Sequence, residues 1–194
     1  MGYQIEAFIG PQESLRQLPV LFPAARIVVL EQGLALCPLT DELFTAMNGA
    51  GDTHRIGPFV KFTKAVEAGL LRAAGEGAIG YIEAGYFGGS GGQQGVVWKD
   101  GRRGRIEGPG HSAINSVLWS LGTKSNPGSD PFESIGLDRH RATCDWAEEA
   151  ESVDLREARG GQLPAVAPVS QKGASGFGAR VGRLIRLLLR RKSD

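Results

Sequence analysis

The sequence predicts an α+β fold, a mainly antiparallel sheet with several packed helices, and three observations carry that expectation. Short apolar runs of strand length interleave with segments of helical period along residues 1–150. Two joins between strand-like runs, at Gly33 and at Asp100-Gly101, are short enough for hairpins, which antiparallel neighbours allow and parallel ones do not. Glycine fills 29 of 194 positions, about twice its usual share of roughly 7%, so turns are plentiful.

The elements follow in order. "YQIEAFIG" reads as a strand ended by Gly10-Pro11, and "QESLRQLPVLF" as a brief helix stopped near Pro19. "ARIVVLEQGLALCPL" is two apolar runs joined at Glu31-Gln32-Gly33, a hairpin. Thr40, ahead of Asp41 and Glu42, predicts an N-cap for the helix "TDELFTAMN". Over residues 58–74, Phe59, Phe62, Val66, Leu70 and Ala73 repeat at helical spacing behind Pro58, which predicts a helix across that whole span. "GAIGYIEAGYFGG" and "QQGVVWKDGRRGRIEG" are strands around a glycine-rich loop, the second turning at Asp100-Gly101. Ile114, Val117, Leu118 and Leu121 share one face of a helix that starts near Ser112 and stops at Gly122. "ESIGLDRHRATCDWAEEAE" is a short turn and then a helix from about Thr143.

Residues 151–179 read as a flexible linker rich in Gly, Pro, Ala and Ser, and residues 180–192 as a basic amphipathic helix. Residues 172–194 carry seven basic side chains against Asp194, a charge of +6; because the whole chain is +1, residues 1–171 sum to −5. Such an acidic body is a poor match for nucleic acid, whose phosphates demand positive charge, and a good one for a basic protein. The tail helix raises the alternative of membrane contact.

Cys37 and Cys144 stand too far apart and too alone for a disulfide framework or a zinc motif. The N-terminus has no basic region before its apolar residues, Glu6 replaces the Ser or Thr of a myristoylation signal, and no run approaches the roughly 18 apolar residues of a spanning helix. The expected address is the cytoplasm.

Three clusters bear on chemistry. "GGSGGQQGVV" lacks the Lys and the following helix that a phosphate loop needs, so it is expected to be a bend between strands, leaving Tyr86, Gln93 and Gln94 near an edge where a partner can be recognised. "GLDRHRATCDW" crowds Asp138, Arg139, His140, Arg141, Cys144, Asp145 and Trp146 together. Two readings compete there. In one, Asp138 and Asp145 cap turns, Trp146 anchors the core, Cys144 is a small buried apolar residue, and Asp138, Arg139 and His140 serve a partner interface. In the other, Cys144 and His140 form the nucleophile and base of a small hydrolase or transferase. His54 and His111 lack the spacing of a helix-borne metal site, and neither metal nor cofactor is expected. Asn115, in an otherwise apolar helix start, either bonds to a loop or points outward.

Taken together, "ARIVVLEQGLALCPLTDELF", "YIEAGYFGGSGGQQGVVWKDG", "INSVLWSLG" and "DPFESIGLDRHRATCDWAE" resemble, in order and over roughly residues 1–148, a family of small bacterial immunity-type proteins. The pattern is a strand ending in YFGG, a Gly and Gln element, a strand with Trp before a turn, an IN helix, and a closing GL-x-RHR-x-x-x-D-W. It is similar to the immunity protein of a DNase toxin delivered by type VI secretion. The resemblance implies a cytoplasmic, non-enzymatic inhibitor that forms a one-to-one complex with its cognate toxin and occludes or distorts the toxin's active site. Where the family carries an acidic DEF-type segment, this chain reads Asp130-Pro131-Phe132-Glu133, so contacts assigned to that loop do not transfer.

Overall fold

The computed structural model describes residues 2–160. Its first strand, β1 (Tyr3–Pro11), is followed by two single-turn helices, α1 (Gln12–Leu15) and α2 (Leu18–Leu21). Pro19 does not stop a helix, as its position suggested; it sits in the first turn of α2, where the missing N–H has no partner to lose. β2 (Val28–Val29) runs through a turn into β3 (Leu34–Pro38), and Gln32 and Gly33 take φ of 58° and 74°, so the expected hairpin is present. α3 (Asp41–Asn48) opens as its sequence requires, with the Thr40 hydroxyl accepting the Leu43 N–H at 3.2 Å.

α4 (Lys64–Ala74) starts well after Pro58. Thr63 is its cap, its hydroxyl accepting the Val66 N–H at 3.3 Å. Phe59 and Phe62 are buried, as their spacing promised, but in a loop rather than on a helix. β4 (Ile79–Phe87) and β5 (Ser90–Lys99) form a long hairpin, and β5 turns at Asp100-Gly101, with φ of 51° and 68°, into β6 (Arg102–Arg103). Then come β7 (Glu107–Gly110), α5 (Ala113–Ser120), α6 (Pro131–Ser134) and α7 (Thr143–Gly160). α7 continues beyond residue 151, where the linker was expected to begin. The rest of that linker and the basic helix at 180–192 lie outside the described residues.

Among the described residues the sheet has seven strands in the order β2-β3-β1-β4-β5-β6, with β7 also pairing β5, and every strand pairing is antiparallel. Helices cover both faces. Phe8, Cys37, Tyr81, Val96 and Trp98 point to the side packed by α1 to α4, while Ile5, Ile9, Leu36, Ile82 and Val97 point to the side packed by α5 and α7. Burial on both faces explains the unbroken apolar run of β3, all five of whose residues are buried, whereas Val29 of the edge strand β2 faces solvent. No helix among the described residues is long and apolar enough to cross a membrane.

Two strand glycines seat α5. A Cβ on Gly95 would lie 2.6 Å from Val117 Cγ2 and 3.1 Å from the Tyr81 carbonyl, and one on Gly80 would lie 2.9 Å from Val117 Cγ1. These residues are a flat landing for Val117, which is fully buried. Gly95→Ala is expected to destabilise the fold by about 1–3 kcal/mol, as overpacking does, and pairing it with Val117→Ala should recover part of that cost. Urea denaturation of the four members of this cycle checks it; strict additivity would show that the two positions do not meet.

Candidate functional site

The β4–β5 hairpin sets the position of the site. Its turn is Gly88-Gly89, with φ of 60° and 82°, the conformation of a two-residue loop that matches strand twist. The chain resumes pairing at once, so Ser90 to Gly95 are strand and the bend is confined to two glycines. Tyr86 lies opposite Gly91, whose φ of 142° and contact with the Gly85 carbonyl leave no room for a Cβ. On its other side Tyr86 pairs Tyr3 of β1, bringing two aromatics to the same end of the sheet. The chain before α7 closes this end, the Arg141 carbonyl accepting the Gln4 N–H at 2.8 Å.

A pocket of about 290 Å³ opens here between the sheet, α5, α6 and residues 138–141, bounded chiefly by Tyr3, Tyr86, Phe132, Asp138 and Arg141. Tyr3 and Phe132 meet edge to face at 5.9 Å, and the Tyr86 hydroxyl lies 3.3 Å from His111 Nδ1. The Tyr3 hydroxyl is buried without a hydrogen-bond partner among the described residues. Burial, with the Asp138 carboxylate nearby, pushes the Tyr3 phenol above its usual range. Asp130, also on the wall, is committed: Oδ1 accepts the Glu133 N–H at 2.9 Å as the cap of α6, and Oδ2 accepts Asn115 Nδ2 at 2.8 Å. Asn115 accepts the Phe132 N–H at 3.0 Å as well, so it bonds to the loop, one of the two roles its position allowed.

Of the six residues expected to meet a partner, Tyr86, Gln93 and Asp138 line this pocket, Gln93 with its oxygen already engaged, and Gln94 does not reach it. Gln93 Oε1 accepts the Ile114 N–H at 2.9 Å, satisfying a free donor in the first turn of α5, where Ser112 makes no side-chain cap. Gln94, on the opposite face, donates to Glu83 Oε2 at 2.9 Å and to the Pro58 carbonyl at 3.1 Å. They lie within a strand paired on both sides, so the expected edge is not there.

Arg139 and His140 are tied to α7. Arg139 Nη2 reaches Glu149 Oε1 at 3.1 Å and its guanidinium stacks 5.1 Å from the Trp146 ring centre, while His140 Nε2 lies 2.8 Å from Glu149 Oε2 and its ring meets Trp146 edge-on at 4.8 Å. Trp146 is fully buried, the anchor it was expected to be. Cys144 is exposed, contrary to the expected buried thiol, because the first turn of α7 turns it outward; its Sγ bonds Asp145 Oδ1 at 3.6 Å, not His140.

A second polar cluster lies on the other face. Glu6 and Glu83 are cross-strand partners, 8% and 4% exposed. Glu83 accepts from Val60 N–H at 2.8 Å, Lys61 N–H at 2.9 Å, Tyr81 Oη at 2.6 Å and Gln94. Glu6 accepts from Gln4 Nε2 and from the Thr143 hydroxyl at 2.8 Å. Paired carboxylates suggest acid–base work, but Glu83 has its lone pairs filled by protein donors, which makes it a clamp on the 58–61 loop. No group of three or more potential ligands suited to a metal occurs among the described residues.

Searches against protein-family models, curated proteins and solved structures return no match to this chain.

Proposed function

We propose that this protein is a binding inhibitor of the immunity type, acting in the cytoplasm by seating on a cognate antibacterial toxin and occluding or distorting its active site. The toxin class implied by the sequence resemblance is a type VI secreted DNase. One observation carries the reading at the level of geometry: Tyr86 and Asp138, singled out as recognition residues, converge with Tyr3, Phe132 and Arg141 on one open, aromatic and charged recess. Aromatics and charged groups around a concave centre are the usual anchors of a protein interface. The −5 charge of residues 1–171 suits a partner whose own surface attracts phosphate.

The alternative hydrolase or transferase needs Cys144 and His140 to act as a pair. Each is hydrogen-bonded to a different carboxylate, which favours the binding reading.

Co-expression with the product of the adjacent gene tests it. A one-to-one complex is expected, and no complex at micromolar concentration overturns the proposal. Asp138→Ala and Tyr86→Ala should each weaken the complex by about 2 kcal/mol, roughly thirtyfold, as measured by calorimetry. The Cys144→Ala, His140→Ala double variant should protect cells as well as the parent; loss of protection in that soluble, folded variant supports the enzyme instead.

A further inference from the structure

We propose that the recess between Tyr3, Tyr86, Phe132 and Asp138 is the seat of one arginine side chain contributed by a protein partner. The inference rests on the binding function proposed above and names what the site takes. Its volume of about 290 Å³ is at the lower limit for small-molecule pockets, roughly 300–1,000 Å³, and suits a single inserted side chain.

The walls select the chemistry. Three aromatic rings, Tyr3, Tyr86 and Phe132, stand in the wall, Tyr3 packed edge to face with Phe132 and Tyr86 stacked with His111; aromatic faces attract a cation, and a planar guanidinium stacks on them better than an ammonium does. Two carboxylates, Asp130 and Asp138, line the pocket against one permanently charged base, Arg141. Both Asp130 oxygens are already hydrogen-bonded, whereas Asp138 makes no hydrogen bond among the described residues and is the free anion. The Tyr3 hydroxyl has no partner there either, but its oxygen is enclosed, so Tyr3 meets a guest through its ring and not through its oxygen. A guanidinium answers the free anion and the aromatic wall at once: its forked donors meet the Asp138 carboxylate and its plane lies against a ring. An anionic ligand would meet Arg141 but also two carboxylates, and His111 on that wall is already turned to the Tyr86 hydroxyl. The acidic body adds complementarity to a basic partner at longer range.

The test uses the full chain and free probes. N-acetyl-arginine amide is titrated by ¹H–¹⁵N NMR beside its neutral citrulline counterpart and inorganic phosphate. Saturable shifts at Ile114, Asn115 and Phe132 are expected with the arginine probe, at least about tenfold weaker binding with citrulline, and none at these amides with phosphate. Asp138→Asn, at an exposed position that the fold does not depend on, should weaken arginine binding about tenfold. Tyr3→Phe, which keeps the ring, should leave arginine binding within about twofold and the urea midpoint unchanged or higher, since the hydroxyl removed is enclosed and has no partner in the fold. No saturation by about 50 mM arginine probe, equal binding of citrulline, or phosphate binding in its place overturns the inference. The two proposals fail separately. A toxin complex that survives Asp138→Asn unweakened removes the arginine seat and leaves the inhibitor standing, while arginine binding with no toxin complex does the reverse.

Discussion

Replacing Glu83 with Ala is expected to destabilise the protein by about 3–5 kcal/mol, a large part of the roughly 5–15 kcal/mol that holds a domain folded. The carboxylate is 4% exposed and gathers four donors: the Val60 and Lys61 amides, the Tyr81 hydroxyl and the Gln94 side-chain amide. Each such charge-assisted bond contributes about 1.5–3 kcal/mol net, and truncation leaves the donors without their acceptor. Two effects keep the total below a simple sum. Val60 is 59% exposed, so its amide can turn to water, and removing Glu83 relieves repulsion from Glu6, its cross-strand partner. Glu83→Gln should cost less, about 2 kcal/mol, because one oxygen remains while the other becomes an NH₂ group facing donors. Urea denaturation gives the order, and amide exchange gives the mechanism: Val60 and Lys61 should lose protection in both variants ahead of the sheet. A Glu83→Ala cost below about 1 kcal/mol would mean that the 58–61 loop is held by the burial of Phe59 and Phe62 alone.

This clamp also shows where the sequence could be read and where it could not. Turns that depend on one residue's own backbone freedom were legible: Gly33, Asp100-Gly101 and the Gly122 stop all stand where their chemistry put them. So was the Thr40 cap, a bond closed within four residues. What depended on a distant partner was not. Phe59 and Phe62 have helical spacing, yet the loop that carries them is fastened by Glu83, 22 or 23 residues away, and the helix waits for Thr63. β7 contains Gly108-Pro109-Gly110, a sequence with no strand preference, and it pairs because β5 presents an open side to it.

The candidate site divides along the same line. Tyr86 was findable because the Gly88-Gly89 turn fixes where its strand ends. Gln93 and Gln94 misled because adjacent strand residues face opposite ways, and here both faces are covered, so one glutamine serves α5 and the other serves Glu83. Tyr3 and Phe132 gave no signal beyond being apolar, since their role comes from the meeting of β1 with the 130–141 segment. Asp130 and Asn115 were each noticed singly; that they bond to each other is a property of the fold.

Stability should also fall steeply in alkali, and Cys37 should begin the fall. It lies in β3 opposite Phe8, fully buried, and desolvation pushes its thiol from 9.0 up to about 12 even though Arg26 nearby pulls the other way. Below pH 9 the thiol is protonated in folded and unfolded chains alike, so it contributes no pH dependence. Between pH 9 and 12 the unfolded chain releases this proton and the folded chain keeps it; the unfolded state binds fewer protons, and stability must drop as pH rises. The limiting slope is about 1.4 kcal/mol per pH unit, which accumulates to about 4 kcal/mol by pH 12. Tyr3 and Tyr81 act in the same direction from about pH 10, each raised first by burial and then by a neighbouring carboxylate, Asp138 for one and Glu83 for the other. Urea midpoints at half-unit steps from pH 8 to 11 should therefore bend downward near pH 9 and steepen above pH 10. In Cys37→Ala, less stable at neutral pH because of the small cavity, the first bend should vanish and the second remain. If the parent and Cys37→Ala lose stability in parallel between pH 9 and 10, the buried thiol is not the group that titrates.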